Sequence, residues 1–305
     1  LNETFAQYAS SFAFVFGESM GDQDLSRPKY TSQSKPVAPN LATRLLPVTL
    51  VVVSLLCAWE GIKALWSIND NTMPHLSSIV SFFGSRSQGG RGPLLVYQMF
   101  VNALSTFGVA FGGFVIGGLL GFLLALIFTQ SKLLERGLMP YVVGSQTVPI
   151  LAIAPMVVVG LGQMGSPDWL AKAFIAAYLT FFPVTIGMLR GLRAAAPDAL
   201  ALMHSYAANP IQIFLKLRLP ASLPYLFTAL KVAATASVIG AIVAELPAGS
   251  SSGIGVVILN AAQYYNSRPE ALYAAVLVAG SIGLVFYGMV VAAEWLIVRE
   301  RRVEA

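Results

Sequence analysis

RGLRAAAPDALALMHSYAANPIQIFLKLRLPASLPYLFTALK, residues 190–231, reads as two short helices set between two long apolar runs. The first helix is expected over 197–207. Pro197 in its first turn sacrifices no helical hydrogen bond, and Asp198 suits the positive end of the helix dipole. Asn209 reads as an N-cap with Pro210 at the first helical position. The second helix, IQIFLKL, is expected to end before Pro220, which cannot donate to a continuing ladder. Two amphipathic helices joined by a sharp turn make a rigid knob. Ile211, Ile213, Phe214 and Leu215 gather on it, with His204 and Tyr206 close by. Such an apolar-tipped knob fits docking to a soluble partner; it also fits an interfacial hairpin that tiles a membrane surface.

Outward from this loop the chain turns strongly apolar. Six stretches reach the roughly 20 residues that a helix needs to cross a hydrocarbon core: about 45–66, 100–128, 138–161, 169–189, 224–247 and 271–297. They are too long for barrel strands and lack strict alternation. The whole chain of 305 residues is 56% hydrophobic and 11% charged, with a mean hydropathy of +0.71. Soluble domains carry about 25% charged residues, so this composition excludes a soluble enzyme and predicts an all-α integral membrane protein. The net charge of +5 falls between apolar runs, where it serves topology and lipid contact rather than nucleic acid.

The basic residues predict orientation. With a cytoplasmic N-terminus, the inner segments hold Arg27, Lys29, Lys35, Arg44, Lys132, Arg136, Arg190, Arg193, Lys216, Arg218, Arg299, Arg301 and Arg302. The outer segments hold only Arg86, Arg91 and Arg268. Both termini are therefore expected inside. Lys63, Lys172 and Lys231 lie near helix ends and are expected to snorkel. The organisation follows: a cytoplasmic tail over 1–44, a first span over 45–66, an external loop over 67–99, a core over 100–297 with its loop at 190–223, and a tail over 298–305. Residues 1–20 lack the basic start and long apolar core of a signal peptide, and the leading Leu1 reads as a trimmed chain or an unusual start.

Several residues inside the spans bear on function. Gly108, Gly112, Gly113, Gly117, Gly118 and Gly121 crowd the second span, where small residues let helix backbones approach. Their reading is tight packing within the subunit, with a gate or subunit contact as the alternative. Pro149 and Pro155 predict a kinked or broken third span, and Pro183 a kink in the fourth. Gln146 and Thr147 beside Pro149, and Asn102 and Thr106 in the second span, are candidates for lining a pathway; helix–helix hydrogen bonds would serve them equally. Glu245 is costly in a membrane helix unless it meets water or a partner, so a gate or assembly role stands beside simple exposure at headgroup level. Glu60 and Lys63, three apart, are expected to pair. Trp59, Trp66, Trp169 and Trp295 read as interfacial anchors. Cys57 is the only cysteine, and His75 and His204 fall on opposite sides, so no metal site is expected.

The loop and its flanks resemble the permeases of binding-protein-dependent ABC importers. Their loop signature runs Glu-Ala-Ala, three residues, Gly, nine residues, Ile, one residue, Leu-Pro. Here it falls on Ala201, Leu202 and Met203, then Ala207, then Leu217, then Leu219 and Pro220, with Pro224 following. VGSQTVPILAIAPMVVVGLG, LPASLPYLFTALKVA, AIVAEL and Gly253-Ile254-Gly255 resemble the branch that handles nitrate, sulfonate, taurine, bicarbonate and pyrimidine precursors. The resemblance spans roughly residues 75–297. It implies a type I importer permease of about six transmembrane helices in a bacterial inner membrane. A second permease copy would complete the pathway, two cytoplasmic ATPases would bind ATP and Mg, and an external binding protein would deliver a small polar solute or anion. Ala201, His204, Tyr206, Ala207, Asn209, Pro210, Ile211, Phe214, Leu215, Leu219 and Pro220 would form the ATPase-coupling segment. The chain itself has no phosphate loop and no cofactor. The alternative is an ion-coupled carrier or a membrane scaffold; a carrier would need a buried ionisable relay or paired broken helices.

Overall fold

The computed structural model describes residues 41–87, 91–247 and 252–303. The expected tail over 1–44 lies almost wholly outside the described residues. The chain divides into two units between Leu56 and Cys57. The first holds the start of α1 (Leu41–Leu65), where Leu50, Val53 and Leu55 are exposed. The second holds all the other elements. α2 (Leu76–Gly84) interrupts the stretch expected as a plain loop over 67–99. α3 (Leu95–Gln130), α4 (Lys132–Ser145), α5 (Ile150–Gln163) and α6 (Asp168–Leu192) follow. Next come α7 (Pro197–Ser205), α8 (Pro210–Ile213), a π-turn at Phe214–Arg218 and α9 (Leu219–Glu245). α10 (Ile254–Gln263) and α11 (Pro269–Val303) complete the order.

Among the described residues four helical rods are long and apolar enough to cross a membrane: α3, α6, the run Pro210–Glu245, and Pro269–Val298 of α11. α4 and α5 pass the same test only as a pair, bent by 94° at the break between them. The expected single span at 138–161 is thus two helices. Gln146 caps the end of α4, and Pro149, which has no N–H to offer, stands just before α5.

The glycines of α3 explain how the core assembles. A Cβ built on Gly113 would lie 2.7 Å from the Ala173 carbonyl, one on Gly117 2.4 Å from the Ala177 carbonyl, and one on Gly121 2.5 Å from the Phe181 carbonyl. Hydrogen in place of Cβ lets the α6 backbone settle directly onto α3, where dispersion between close-packed atoms replaces hydrophobic drive. Partner numbers rise together along both helices, so α3 and α6 run parallel. The chain must return between them, and α4 with α5 is its only return path. On the other side of α6, Gly191 meets Ser222 and Tyr225, Gly187 meets Ala229, and Gly240 meets Ala176. Those numbers run oppositely, so α9 is antiparallel to α6. The main core gathers Ala110, Ala176, Ala234, Ala241, Ile254 and Phe286, and Phe286 sits between the rings of Phe107 and Phe114.

The charges near helix ends are paired rather than snorkelled. Lys63 is 5% exposed and bonds Asp70, not Glu60. That hydrogen bond, reinforced by the Lys63 charge, holds the Asp70 carboxyl below its ordinary 3.8. Glu60 instead accepts from the Leu76 amide at 2.8 Å and faces His75 Nδ1 at 2.9 Å. The expected Glu60–Lys63 pair fails because the turn after α1 brings Asp70 and the start of α2 back over both side chains. Lys172 is 3% exposed and pairs with Asp168 at 2.6 Å, and Lys231 pairs with Glu294 at 2.5 Å. Trp59 donates to the Pro74 carbonyl at 3.2 Å and meets Tyr273 edge-on, with ring centroids 5.5 Å apart.

Candidate functional site

The two regions singled out by the sequence lie at opposite ends of α9, about 40 Å apart at 1.5 Å per residue. At its N-terminal end stands the loop of α7 and α8. α7 begins with Pro197 at the first position and Asp198 in the first turn. It ends in a Schellman motif: the Ala207 amide bonds the His204 carbonyl at 2.9 Å and the Ala208 amide bonds the Met203 carbonyl at 3.0 Å. Ala207 takes φ 52°, a left-handed conformation that favours glycine. This is the position where the signature has its glycine.

α8 starts with a reciprocal capping box. Asn209 Oδ1 accepts from the Gln212 amide at 2.8 Å, and Gln212 Oε1 accepts from the Asn209 amide at 3.0 Å. The helix does not stop before Pro220, as expected; it widens at Phe214–Arg218 and continues into α9. In a regular α-helix the Pro220 ring would press on the Lys216 carbonyl and leave a hydrogen bond missing. The wider turn, closed by the Leu219 amide on the Phe214 carbonyl, relieves both problems. Leu202, Tyr206, Ile211 and Leu215 point outward, with Tyr206 77% exposed. Ala201, His204 and Pro210 are exposed beside them. Ile213 is buried, while Phe214 and Leu219 pack against the cluster of Met188, Leu189 and Leu192. The knob therefore has an anchored root and an apolar tip.

At the other end of α9, Glu245 is 1% exposed, which removes simple exposure at headgroup level. Thr106 donates its hydroxyl to the Glu245 carboxylate at 2.8 Å, and the Gly255 amide donates to Glu245 Oε2 at 2.8 Å. Thr106 Oγ1 accepts from the Ile254 amide at 2.8 Å, and Asn102 Oδ1 accepts from the Gly253 amide at 2.8 Å. The first turn of α10 thus finds its acceptors on two neighbouring helices, where its own sequence supplies none. A negative carboxylate there also suits the helix dipole. Gly253, at φ 122°, permits the approach, because a Cβ on it would lie 2.3 Å from Glu245 Cδ.

Asn102, Thr106 and Glu245 are therefore one cluster. Gln146 and Thr147 are elsewhere, in the break between α4 and α5. Thr147 Oγ1 donates to the Gly144 carbonyl at 2.7 Å, Gln146 Nε2 to Ser145 Oγ at 3.3 Å, and Tyr178 Oη bonds the Ser145 carbonyl. Sequence reading missed α10 and its docking on Glu245. The one signal was Gly253-x-Gly255 eight residues after the acid.

Residues 117–295 match the family described as the inner membrane component of binding-protein-dependent transport systems. The chain belongs to this family. A probable ABC transporter permease of Haemophilus influenzae is 31% identical over 84% of this chain and 97% of its own length. The formylaminopyrimidine transport permease of Halalkalibacterium halodurans is 33% identical over 51% of this chain and 60% of its own length. The crystal structure of an amino acid ABC transporter with histidines shares the fold, with a TM-score of 0.54 at 18% identity, covering 65% of this chain and 94% of that one. This permease is thus a transmembrane subunit of an ABC-type importer. Among the described residues no group of His, Cys, Asp and Glu could hold a metal.

Proposed function

We propose that the permease crosses the membrane six times with both termini cytoplasmic, α1 being the first span. Two copies would form the pathway. Two cytoplasmic ATPases would dock on the segment from Ala201 to Pro220, and an external binding protein would deliver the cargo. The observation that carries this reading is the knob. Leu202, Tyr206, Ile211 and Leu215 are exposed, Lys216 and Arg218 stand in the turn beside them, and Phe214 and Leu219 tie that surface to α6 and α9. A push on the tip would be passed to two spans at once.

At the far end Asn102, Thr106 and Glu245 hold α3, α9 and α10 together, so α10 follows any tilt of α9. This suits an outer gate better than a binding site for an anion, whose charge Glu245 would repel. The cargo is a small polar organic solute or anion. Relatives named for formylaminopyrimidine, riboflavin, bicarbonate and nitrate transport support that class.

The test is co-purification in mild detergent from the native host. Wild type is compared with a chain whose Tyr206–Leu215 segment is replaced by a neutral linker. A phosphate-loop ATPase held by wild type and lost from the replacement supports the docking site. An ATPase retained by the replacement, or absent from well-folded wild type, refutes it.

A further inference from the structure

A groove of about 790 Å³ runs along α4 and changes character along its length. One end is charged, with Lys132, Arg136 and Arg193 around a single acid, Glu135. Glu135 is already engaged: Arg193 donates to its two oxygens at 2.7 and 2.5 Å and reaches the Phe128 carbonyl at 3.4 Å. Lys132 and Arg136 stand four apart on the same helix face. Among the described residues neither has a carboxylate at ion-pair distance. The groove then turns apolar along Met139, Pro140 and Val143, up to Gly144 at the break before α5. Beside it Leu133 and Tyr141 are 82% and 76% exposed.

We infer that this groove holds one anionic phospholipid of the cytoplasmic leaflet. Its phosphate lies between Lys132 and Arg136, and an acyl chain follows the wall of Met139, Pro140 and Val143. Lys132 and Arg136, beside Glu135 but in no ion pair among the described residues, match a headgroup phosphate, and the apolar continuation matches a chain that a free anion lacks. The order of the two ends also fits. α3 and α6 run parallel, so Lys132 and Arg193 lie at one common end of the bundle, and Gly144 lies deeper along the α4 crossing. The inference rests on the proposed placement of that end in the cytoplasm.

The purified complex is placed in phosphatidylcholine nanodiscs with or without phosphatidylglycerol, and retained lipid is counted by native mass spectrometry. Wild type is compared with a Lys132→Gln, Arg136→Gln variant and with Val143→Asp, which places a charge on the apolar wall. Wild type is expected to keep phosphatidylglycerol in preference to phosphatidylcholine. Losing about 1 kcal/mol per cation is a fivefold loss each, so the double variant should retain it roughly 30-fold less well. Val143→Asp should also release it. Equal retention of the two lipids by wild type overturns the inference. So does inorganic phosphate that displaces the lipid from wild type and binds Val143→Asp unchanged, because the site would then be one for a free anion. A disulfide formed between two copies through Val143→Cys, with Cys57 replaced by Ala, would show a second permease covering the groove and would equally overturn it. The ATPase co-purifying with the double variant separates this result from the coupling proposal: lipid lost and ATPase kept leaves both standing, and lipid kept without ATPase removes only the latter.

Discussion

Gly117→Ala tests the α3–α6 seam against its own neighbour, Gly118→Ala. The Gly117 Cβ would meet the Ala177 carbonyl at 2.4 Å, Thr180 Cβ at 2.7 Å and Ala177 Cα at 2.9 Å. Two of these three atoms are backbone, so no rotamer change clears the space. Carbon and carbonyl oxygen rest at about 3.3–3.6 Å even in favourable contacts, so the helices must part by roughly 1 Å. A gap of that size forfeits a quarter to a half of each dispersion contact nearby. Overpacking of this kind costs about 1–3 kcal/mol. Replacing glycine in a helix recovers about 0.5–1 kcal/mol, which leaves a net loss of about 1 kcal/mol. Gly118 has no atom within 4 Å of its Cβ position, so Gly118→Ala keeps the recovery without the clash. Thermal unfolding in detergent, followed by tryptophan fluorescence, should show Gly117→Ala melting about 2–4 °C below wild type. Gly118→Ala should melt at or slightly above it. Equal melting temperatures for the two variants would refute the seam as the organiser of the core.

Glu245→Ala leaves the Gly255 amide without an acceptor, at about 1–3 kcal/mol, and the Thr106 hydroxyl with only the Asn102 carbonyl at 3.2 Å. The expected result is faster hydrogen exchange of the α10 amides, with the α7–α8 loop unchanged, and unchanged exchange in α10 would contradict the docking. Ala207→Gly removes a left-handed alanine, a conformation that costs roughly 1–2 kcal/mol. The glycine variant should therefore resist thermal unfolding of the loop slightly better than wild type, whereas a loss of stability would mean that Ala207 makes contacts that outweigh its backbone strain.

What the sequence disclosed depended on how local the causes were. The capping residue Asn209 and the first-turn Pro197 act on neighbours within four residues, so the helices they start were legible. Pro220 was read by its usual effect of ending a helix, and the widened turn that absorbs it depends on Phe214 and Leu219 being rooted against α6. The glycine spacing in α3 announced a close approach, but not that its partner would be α6 in parallel. Glu60 and Lys63 have the spacing of a helical pair, yet each finds a better partner brought back by the following turn. Glu245 was marked as costly in a membrane; its carboxylate serves one amide ten residues ahead and a hydroxyl on another span, which no local pattern connects.

The parallel seam also sets a timetable for biogenesis. α3 is notched to receive a helix whose contacting residues are made about 60 residues later. At 5–20 residues per second, that partner arrives roughly 3–12 s after α3 has left the ribosome. Throughout this interval the glycine face of α3 is open to lipid or to any other small-residue helix being inserted nearby. The bent α4–α5 pair enters first and has only a limited grip on α3. Correct assembly thus depends on the delay as well as on the fit, and slowing translation between residues 130 and 185 should trap more misassembled chain than slowing it after α9 has entered.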